Sequence, residues 1–259
     1  MPGSGLDDIW RSARQGVEWW MRSAPHHVTH DERGAWVVGS GAQVAADYNP
    51  GRVGVETDHA AFEGLLSFLE DADIPAMLCV APEAAVQLGE VATERGLVDT
   101  GMTMPVMVHS GPISAESSGF DIARVDTVDS MRAVAALLED PFDIPLETNA
   151  EVYSAELLEE RDVLVWLARS NDEPVSTVTA TFADGLAGIW AMGTATKHQR
   201  RGAGRALLSS AMAEIRAMGI ESCFLLATPA GFPLYQRLGY RTVEEPRVWL
   251  RGHSTEFPT

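Results

Sequence analysis

The chain has 259 residues, of which 46% are hydrophobic and 22% charged, a balance typical of a globular protein with a buried core. Its formal net charge of −18 argues against a nucleic-acid partner, which needs a basic surface, and is compatible with a cationic or amine substrate. No apolar run is long enough to cross a membrane, and no signal peptide is recognised. The two cysteines, Cys79 and Cys223, fall in predicted buried strands. They are interpreted as reduced core residues, so a cytoplasmic protein is expected.

The first half of the chain begins with a predicted helix and continues with predicted strands. Apolar residues recur at helical spacing from Leu6 to Met21. The polar face of this helix mixes acidic and basic residues, which favours packing on the protein core over binding a membrane surface. Strands are predicted at 36–38 and 43–45, around a Gly-Ser-Gly turn, and at 74–80.

A small, polar, glycine-rich segment at 113–119 is interpreted as a linker between a first domain, 1–112, and a second domain, 120–259. The second domain is predicted to begin with a strand at 120–125 and a helix at about 128–139. A loop containing Pro141 and Pro145 follows, then a helix near 150–159 and paired strands at 163–168 and 175–181.

A glycine-rich loop, residues 199–204, lies between a predicted strand, 188–194, and a predicted helix. Gly202 and Gly204 have no side chains that keep an anion away from backbone N–H groups at the helix N-terminus. The loop is therefore predicted to hold a pyrophosphate, with cationic donors from Arg200, Arg201 and Arg205. The helix has an apolar face formed by Leu207, Leu208, Ala211, Met212, Ile215 and Met218.

The loop resembles the acetyl-CoA loop of the GNAT N-acetyltransferases, whose pattern is Gln/Arg-x-x-Gly-x-Gly/Ala. Gln199, Gly202 and Gly204 match it. Residues 232–240 resemble the last short helix of the family, with its tyrosine and its Leu-Gly-aromatic ending, and the match covers most of 120–250. The resemblance implies an α/β (α+β) GNAT fold with a mixed central sheet flanked by helices.

The resemblance also implies direct transfer of acetyl from acetyl-CoA to a bound amine. A backbone N–H near Met192 would bind the acetyl oxygen. Tyr235 stands where the general acid of the family stands, near the sulfur; the alternative is that it only packs beside Leu238. The implied cofactor-binding residues are Met192, Gly193, Thr194, Gln199, Arg200, Arg201, Gly202, Ala203, Gly204, Arg205 and Thr228.

No general base is identified from the sequence. Many members of the family use a glutamate on the strand before the loop, but 186–194 contains no acidic residue. Asp143, Glu147 and Glu151 lie in the loop and helix that usually line the acceptor cleft, and a water chain is the alternative.

Three histidines, His26, His27 and His30, lie near one another in the first half. Their spacing matches no strong metal-ligand pattern, so no metal is predicted.

The two halves repeat one order of elements, which is a strand, a helix, a Gly-apolar pair and a closing strand. Residues 74–80 resemble 220–226, and residues 105–108 parallel 246–249. The repetition predicts two GNAT-like domains in tandem, made by duplication.

The first half is predicted to bind no cofactor. An alignment of the halves places two carboxylates, Glu56 and Asp58, opposite Gly202 and Gly204, and it places Ala92 opposite Tyr235. Carboxylates at these positions would repel a pyrophosphate. The first half is therefore expected to pack on the second and to form one wall of the substrate cleft.

The leading hypothesis is an N-acetyltransferase for a small-molecule amine or a peptide, and a homodimer is left open. One alternative is a GNAT-like sensor or scaffold that binds acyl-CoA without turnover. Another is a tandem enzyme that acylates a small cationic metabolite or an antibiotic, or that makes a thiol cofactor as mycothiol synthases do. The sequence leaves the acceptor open because acceptor loops vary freely on a common scaffold.

Overall fold

The computed structural model describes residues 5–111, 113 and 119–252. The first half contains α1 (Leu6–Met21), β1 (Val28–Glu32), β2 (Ala35–Gly39), β3 (Pro50–Val53), α2 (His59–Asp71), β4 (Ala76–Val80), α3 (Pro82–Glu94), β5 (Val98–Thr103) and β6 (Val106–Ser110). The second half contains β7 (Asp121–Arg124), α4 (Val128–Phe142), α5 (Leu146–Val152), β8 (Val163–Ser170), β9 (Glu173–Ala183), β10 (Leu186–Thr194), α6 (Ala203–Ala217), β11 (Ser222–Leu226), α7 (Phe232–Arg237), β12 (Arg241–Glu244) and β13 (Arg247–Arg251). Short 3-10 turns lie at Ala46–Tyr48, Glu156–Glu159 and Thr196–His198.

Two mixed sheets follow one plan. The first has the order β1-β2-β3-β4-β13-β5, and the second has the order β12-β6-β11-β10-β9-β8-β7. Read from β8, the second sheet repeats the first strand for strand. Each contains one parallel pair, β3 with β4 and β10 with β11, while every other pair is antiparallel. The predicted mixed α/β fold with two tandem units is confirmed.

The closing strands are exchanged between the two halves. β6, from the first half, pairs with β11 and β12 in the second sheet. β13, from the second half, pairs with β4 and β5 in the first sheet. The predicted division into 1–112 and 120–259 therefore does not coincide with the two sheets. Most of the predicted linker at 113–119 lies outside the described residues.

Helix α1 lies between the two sheets and packs against β2 on one side and β9 on the other. Gly16 permits this close approach, because a Cβ there would overlap the side chain of Thr181. The Ser12 hydroxyl donates a hydrogen bond to the carbonyl of Ala183 at 3.0 Å. The apolar face predicted for this helix is therefore buried between the halves.

A buried ion pair also joins the halves. Arg52 on β3 donates to the carboxylate of Glu244 on β12 at 3.0 Å, and their side chains are only 5% and 9% exposed. The indole of Trp10 donates to the same carboxylate at 2.6 Å, and the Arg52 guanidinium lies 3.9 Å from the centre of its ring. These partners compensate both buried charges, which would otherwise be strongly unfavourable.

Two predictions are wrong, one for a strand in the first half and one for the end of α4. Residues 43–45 form no strand, because the chain turns at Gly41, where φ is +76° and a Cβ would overlap a backbone carbonyl. Pro141 lies in the last turn of α4 rather than in a loop, and the helix ends at Asp143 with φ of +53°.

Two further differences concern the helices that follow. The helix predicted near 150–159 is α5, which spans Leu146–Val152, followed by a separate 3-10 turn. Met218 is 48% exposed because it follows the last turn of α6, where the helical spacing no longer applies. Among the described residues, no helix has the length and apolar character needed to cross a membrane.

Candidate active site

Strand β10 carries a bulge where the second sheet opens. Its pairing with β9 shifts between Trp190 and Gly193, so that two residues of β10 oppose one residue of β9, and Ala191 has a φ of +43°. On its other side, β10 pairs with β11 only from Leu186 to Ile189. The last five residues of β10 therefore have no partner in β11. The gap between the two strands exposes backbone groups that an extended ligand can pair with.

The N-terminus of α6 follows this strand and is open. Gly202 is its N-cap residue, with a φ of +89°, and no side chain of the described residues caps the helix. A Cβ on Gly202 would have no heavy atom within 4 Å, so the glycine serves the backbone conformation and leaves space above the helix. Arg200 has a φ of +56°, which completes the turn. The first backbone N–H groups of α6 are therefore available to an anion.

Close packing fixes the loop on the end of β10. A Cβ on Gly204 would lie 3.1 Å from both Met192 Cε and Thr194 Oγ1. The Gln199 amide donates to the carbonyl of Thr194 at 3.2 Å. A Cβ on Gly193 would lie 3.0 Å from Phe142, so β10 also packs closely on α4. The structure thus brings the predicted strand, loop and helix residues into one continuous surface.

The charge of the loop suits a pyrophosphate. Arg200, Arg201 and Arg205 are exposed, while Ala203 is buried beneath them. Lys197, the only lysine in the chain, instead pairs with Glu173. Residues 199–205 contain no acidic side chain, so cationic groups and helix N–H groups surround the open space. These residues fit the pyrophosphate of coenzyme A.

A cavity of about 160 Å³ lies between the two halves and reaches the bulge of β10. The second half contributes Ile189, Trp190, Ala191, Met192, Leu226, Thr228 and Tyr235 to its wall, together with Phe142 and Ile144. The first half contributes Trp10, Trp20, Trp36, Asp47, Tyr48 and Cys79, among others. The first half therefore forms a wall of the cleft.

Tyr235 lies in the cavity wall on α7 and is 8% exposed. Burial raises the pKa of its hydroxyl to about 12, so the group is protonated at neutral pH. Its ring packs against Gly231 and lies 5.9 Å from the ring of Tyr240. Among the described residues no hydrogen bond uses the Tyr235 hydroxyl, so the proton is available to a ligand in the cavity.

The carboxylates proposed from the sequence as bases do not line this cavity. Asp143, Glu147 and Glu151 are all exposed at the surface. The cavity wall instead contains Asp47, from the 3-10 turn of the first half, and it is the only carboxylate among the described lining residues. Surrounding protein raises the pKa of the Asp47 carboxyl above its ordinary value, and its own backbone N–H partly offsets this shift.

Asp47 has no sequence signal of its own. Sequence reasoning missed it because it comes from a different half of the chain and follows a segment predicted to be a strand.

The predicted repeat alignment needs one correction. In the predicted alignment of the two halves, the last residue of α2 lies opposite the last residue of α6. Because α2 has 13 residues and α6 has 15, α6 begins two residues before the position that is aligned with the first residue of α2. As a result Asp58, not Glu56, occupies the N-cap position equivalent to Gly202. Glu56 instead folds back over Gly34 and Gly54, where a Cβ would overlap its carboxylate.

The three histidines of the first half are not gathered around a common centre. His27 lies 3.2 Å from a carboxylate oxygen of Glu18, and His30 stacks on Phe68. Within the described ranges, no group of three or more His, Cys, Asp or Glu side chains is placed to hold a metal ion.

Comparison with known proteins agrees with this geometry. Residues 131–240 match the family model described as "Acetyltransferase (GNAT) family". No curated protein sequence matches the chain.

Three solved structures share the fold over nearly the whole chain. A GCN5-related N-acetyltransferase from Kribbella flavida has 22% identity and a TM-score of 0.68, with 95% of each chain covered. A GCN5-related N-acetyltransferase from Sphaerobacter thermophilus has 16% identity and a TM-score of 0.57, with coverage of 96% of this chain and 86% of that one. A tandem GNAT protein from the clavulanic acid biosynthesis pathway has 12% identity and a TM-score of 0.58, with coverage of 92% and 88%. The chain therefore has the fold of a tandem GNAT protein, and its residues 131–240 match the model of the GNAT acetyltransferase family.

Proposed function

We propose that the protein transfers acetyl from acetyl-CoA directly to the amine of an acceptor. The observation that supports this most is the continuity of three features: the open N-terminus of α6, the gap between β10 and β11, and the cavity that contains Tyr235. An anion site, an extended groove and a cavity follow one another in the order in which coenzyme A presents its pyrophosphate, pantetheine and thioester.

The loop holds the pyrophosphate in this proposal. The backbone N–H groups of Gly202, Ala203 and Gly204 donate to phosphate oxygens, because they lie at the positive end of the helix dipole. Arg200, Arg201, Arg205 and Gln199 surround the same space and add donors to its rim.

The end of β10 positions the thioester. Backbone groups of Met192, Gly193 and Thr194 pair with pantetheine as if it were a strand. The N–H near Met192 lies beside the positive φ of Ala191 and stabilises the oxygen of the tetrahedral intermediate. Thr228 lies in the wall near the same end of the groove and contacts the thioester arm.

The reaction then requires the acceptor nitrogen to lose two protons and the departing sulfur to gain one. The acceptor ammonium loses a proton, and its nitrogen attacks the acetyl carbonyl carbon. The C–S bond breaks, the Tyr235 hydroxyl donates its proton to the departing sulfur, and the nitrogen releases a second proton as the amide forms. Solvent reprotonates Tyr235, so the products are the acetylated amine, the free thiol and one proton.

Calorimetry and thermal unfolding with acetyl-CoA test this proposal. At about a hundred times its dissociation constant, the ligand should stabilise the fold by roughly 2.7 kcal/mol. Gly202→Asp should abolish this stabilisation, because its carboxylate lies against the pyrophosphate. Gly185→Asp is the matched control, since Gly185 also has a positive φ and open space around it, but lies in the turn between β9 and β10.

Three outcomes are informative. If acetyl-CoA no longer stabilises Gly202→Asp but still stabilises Gly185→Asp, the result supports the loop as the pyrophosphate site. If acetyl-CoA stabilises Gly202→Asp as much as the parent, the assignment of the loop is wrong. Tight binding without acetyl transfer to any amine supports the alternative of an acyl-CoA sensor.

A further inference from the structure

Seven of the 21 described residues that line the cavity between the halves are aromatic. Its volume of about 160 Å³ is close to that of cavities that hold a benzene ring, roughly 150 Å³. The ring of Trp20 lies 6.1 Å from that of Tyr48 and 6.4 Å from that of Trp190. Trp10 and Trp36 complete this wall. The space therefore suits a small apolar or aromatic body better than a polycationic oligosaccharide or a long polyamine.

Asp47 is the only charged side chain among the described residues that line the cavity. Its neighbours Ala46 and Tyr48 are each only 4% exposed, whereas Asp47 itself is exposed and lines the cavity. Among the described residues, its carboxylate forms no ion pair, and the only group that hydrogen-bonds it is its own backbone N–H. An unpaired carboxylate in an aromatic cavity favours a cationic ligand.

A second polar group in this wall also lacks a partner. The indole N–H of Trp20 is buried, and no acceptor for it lies among the described residues. A buried donor without an acceptor is unfavourable, and most such groups in proteins are hydrogen-bonded. The carboxylate of Asp47 is therefore the one charged acceptor that the described lining residues offer to an occupant of the cavity.

From these observations we infer that the cavity is the acceptor site, and that its substrate is a compact primary amine with an aromatic or branched apolar body, whose ammonium pairs with Asp47. The inference rests on the proposed acetyl transfer. Asp47 and Tyr235 line the same cavity, so an amine that pairs with the first occupies the space that contains the proton donor. An α-carboxylate next to the amine would be repelled by Asp47. The first half, which has no cofactor loop of its own, thereby selects the acceptor.

A matched pair of probes tests the substrate class with the unaltered protein. 2-Phenylethylamine and phenylalanine differ only in the α-carboxylate, and spermidine and kanamycin serve as polycationic probes. Release of the free thiol from acetyl-CoA is followed for each. We expect kcat/KM for 2-phenylethylamine to exceed that for each of the other three at least tenfold. A preference for phenylalanine or for a polycation overturns the inference.

A variant then tests the role of Asp47. Asp47→Asn keeps the shape of the side chain and should raise the KM for 2-phenylethylamine at least tenfold while leaving acetyl-CoA affinity unchanged. Asp71→Asn, at the exposed C-terminal end of α2, is the matched control and should stay within twofold of the parent. An unchanged KM in Asp47→Asn overturns the inference.

Binding measurements separate this inference from the proposed function. Calorimetry with 2-phenylethylamine alone and with acetyl-CoA alone is run on the parent and on Asp47→Asn. If acetyl-CoA does not bind but the amine binds in an Asp47-dependent manner, the acetyl transfer fails and the amine site stands. If acetyl-CoA binds but 2-phenylethylamine binds neither the parent nor Asp47→Asn, the inferred amine site is wrong and the proposal of acetyl transfer stands.

Discussion

Helices α2 and α6 occupy the same position in the two sheets, yet their N-termini are closed and open respectively. Asp58 caps α2, because its carboxylate accepts a hydrogen bond from the N–H of Ala61 at 2.9 Å and pairs with Arg33. The N–H bond from Ala61, and then the contacts of Arg33, lower the pKa of that carboxyl. In α6 the equivalent residue is Gly202, and nothing among the described side chains caps the helix. The N-terminal N–H groups of the helix are thus capped by the protein in the first half and are left open to a ligand in the second half.

The adjacent strands differ in the same sense. All four residues of β3 pair with β4, and the N–H of Ala81 extends the contact to the carbonyl of Val53. In the second sheet, β10 and β11 separate after Ile189. The first half therefore lacks both the anion site and the groove. Two sheets with the same strand order can therefore differ in whether they offer a ligand site.

The largest expected effect concerns Tyr235, which is Ala92 in the repeat alignment. Tyr235→Phe keeps the ring and removes the proton donor, so turnover should fall by roughly 10²–10⁴-fold. Acetyl-CoA affinity should barely change. Because its pKa is raised to about 12, Tyr235 stays protonated through pH 10, and activity should show no alkaline loss from this group below that pH. Rates at saturating acetyl-CoA and 2-phenylethylamine check both points. Turnover within a few-fold of the parent would show that Tyr235 serves only packing.

The next effect concerns the contribution of the first half to stability. Glu244→Gln removes one charge of the buried pair and leaves Arg52 uncompensated, so the free energy of unfolding should fall by about 3–5 kcal/mol. Glu245→Gln is the control, because that side chain is exposed next to it. Denaturant titration measures the difference. Equal stability of the two variants would mean that the pair adds nothing to the contact between the halves.

The smallest effect concerns the closed helix itself. Asp58→Ala should lower the melting temperature by only a few degrees, through the lost cap, while Asp71→Ala at the other end of α2 should not. Both proteins should bind one acetyl-CoA per chain in calorimetry, because β3 and β4 form no gap. A second site in either the parent or Asp58→Ala would break the contrast between the halves.

Local features of the site could be predicted from the sequence, because they depend on short spacings. The glycines at 202 and 204, the preceding strand and the apolar face of α6 all lie within about 30 residues of each other, and the structure places them as expected. Asp47 could not be predicted, since its position in the cavity depends on how α1 and the first sheet pack on the second. The exchange of β6 and β13 was also invisible. β6 and β13 are both short, mostly buried strands, so the sequence of each is compatible with the closing position in either sheet.

The exchanged strands also constrain how the chain is made. The first sheet lacks a strand between β4 and β5 until residues 247–251 have been synthesised. The first sheet therefore cannot be completed before residues 247–251 have left the ribosome, although N-terminal domains generally fold first. These pairings join residues more than 140 positions apart, and such distant contacts slow folding. Each sheet thus needs a strand from the other half of the chain before it is complete.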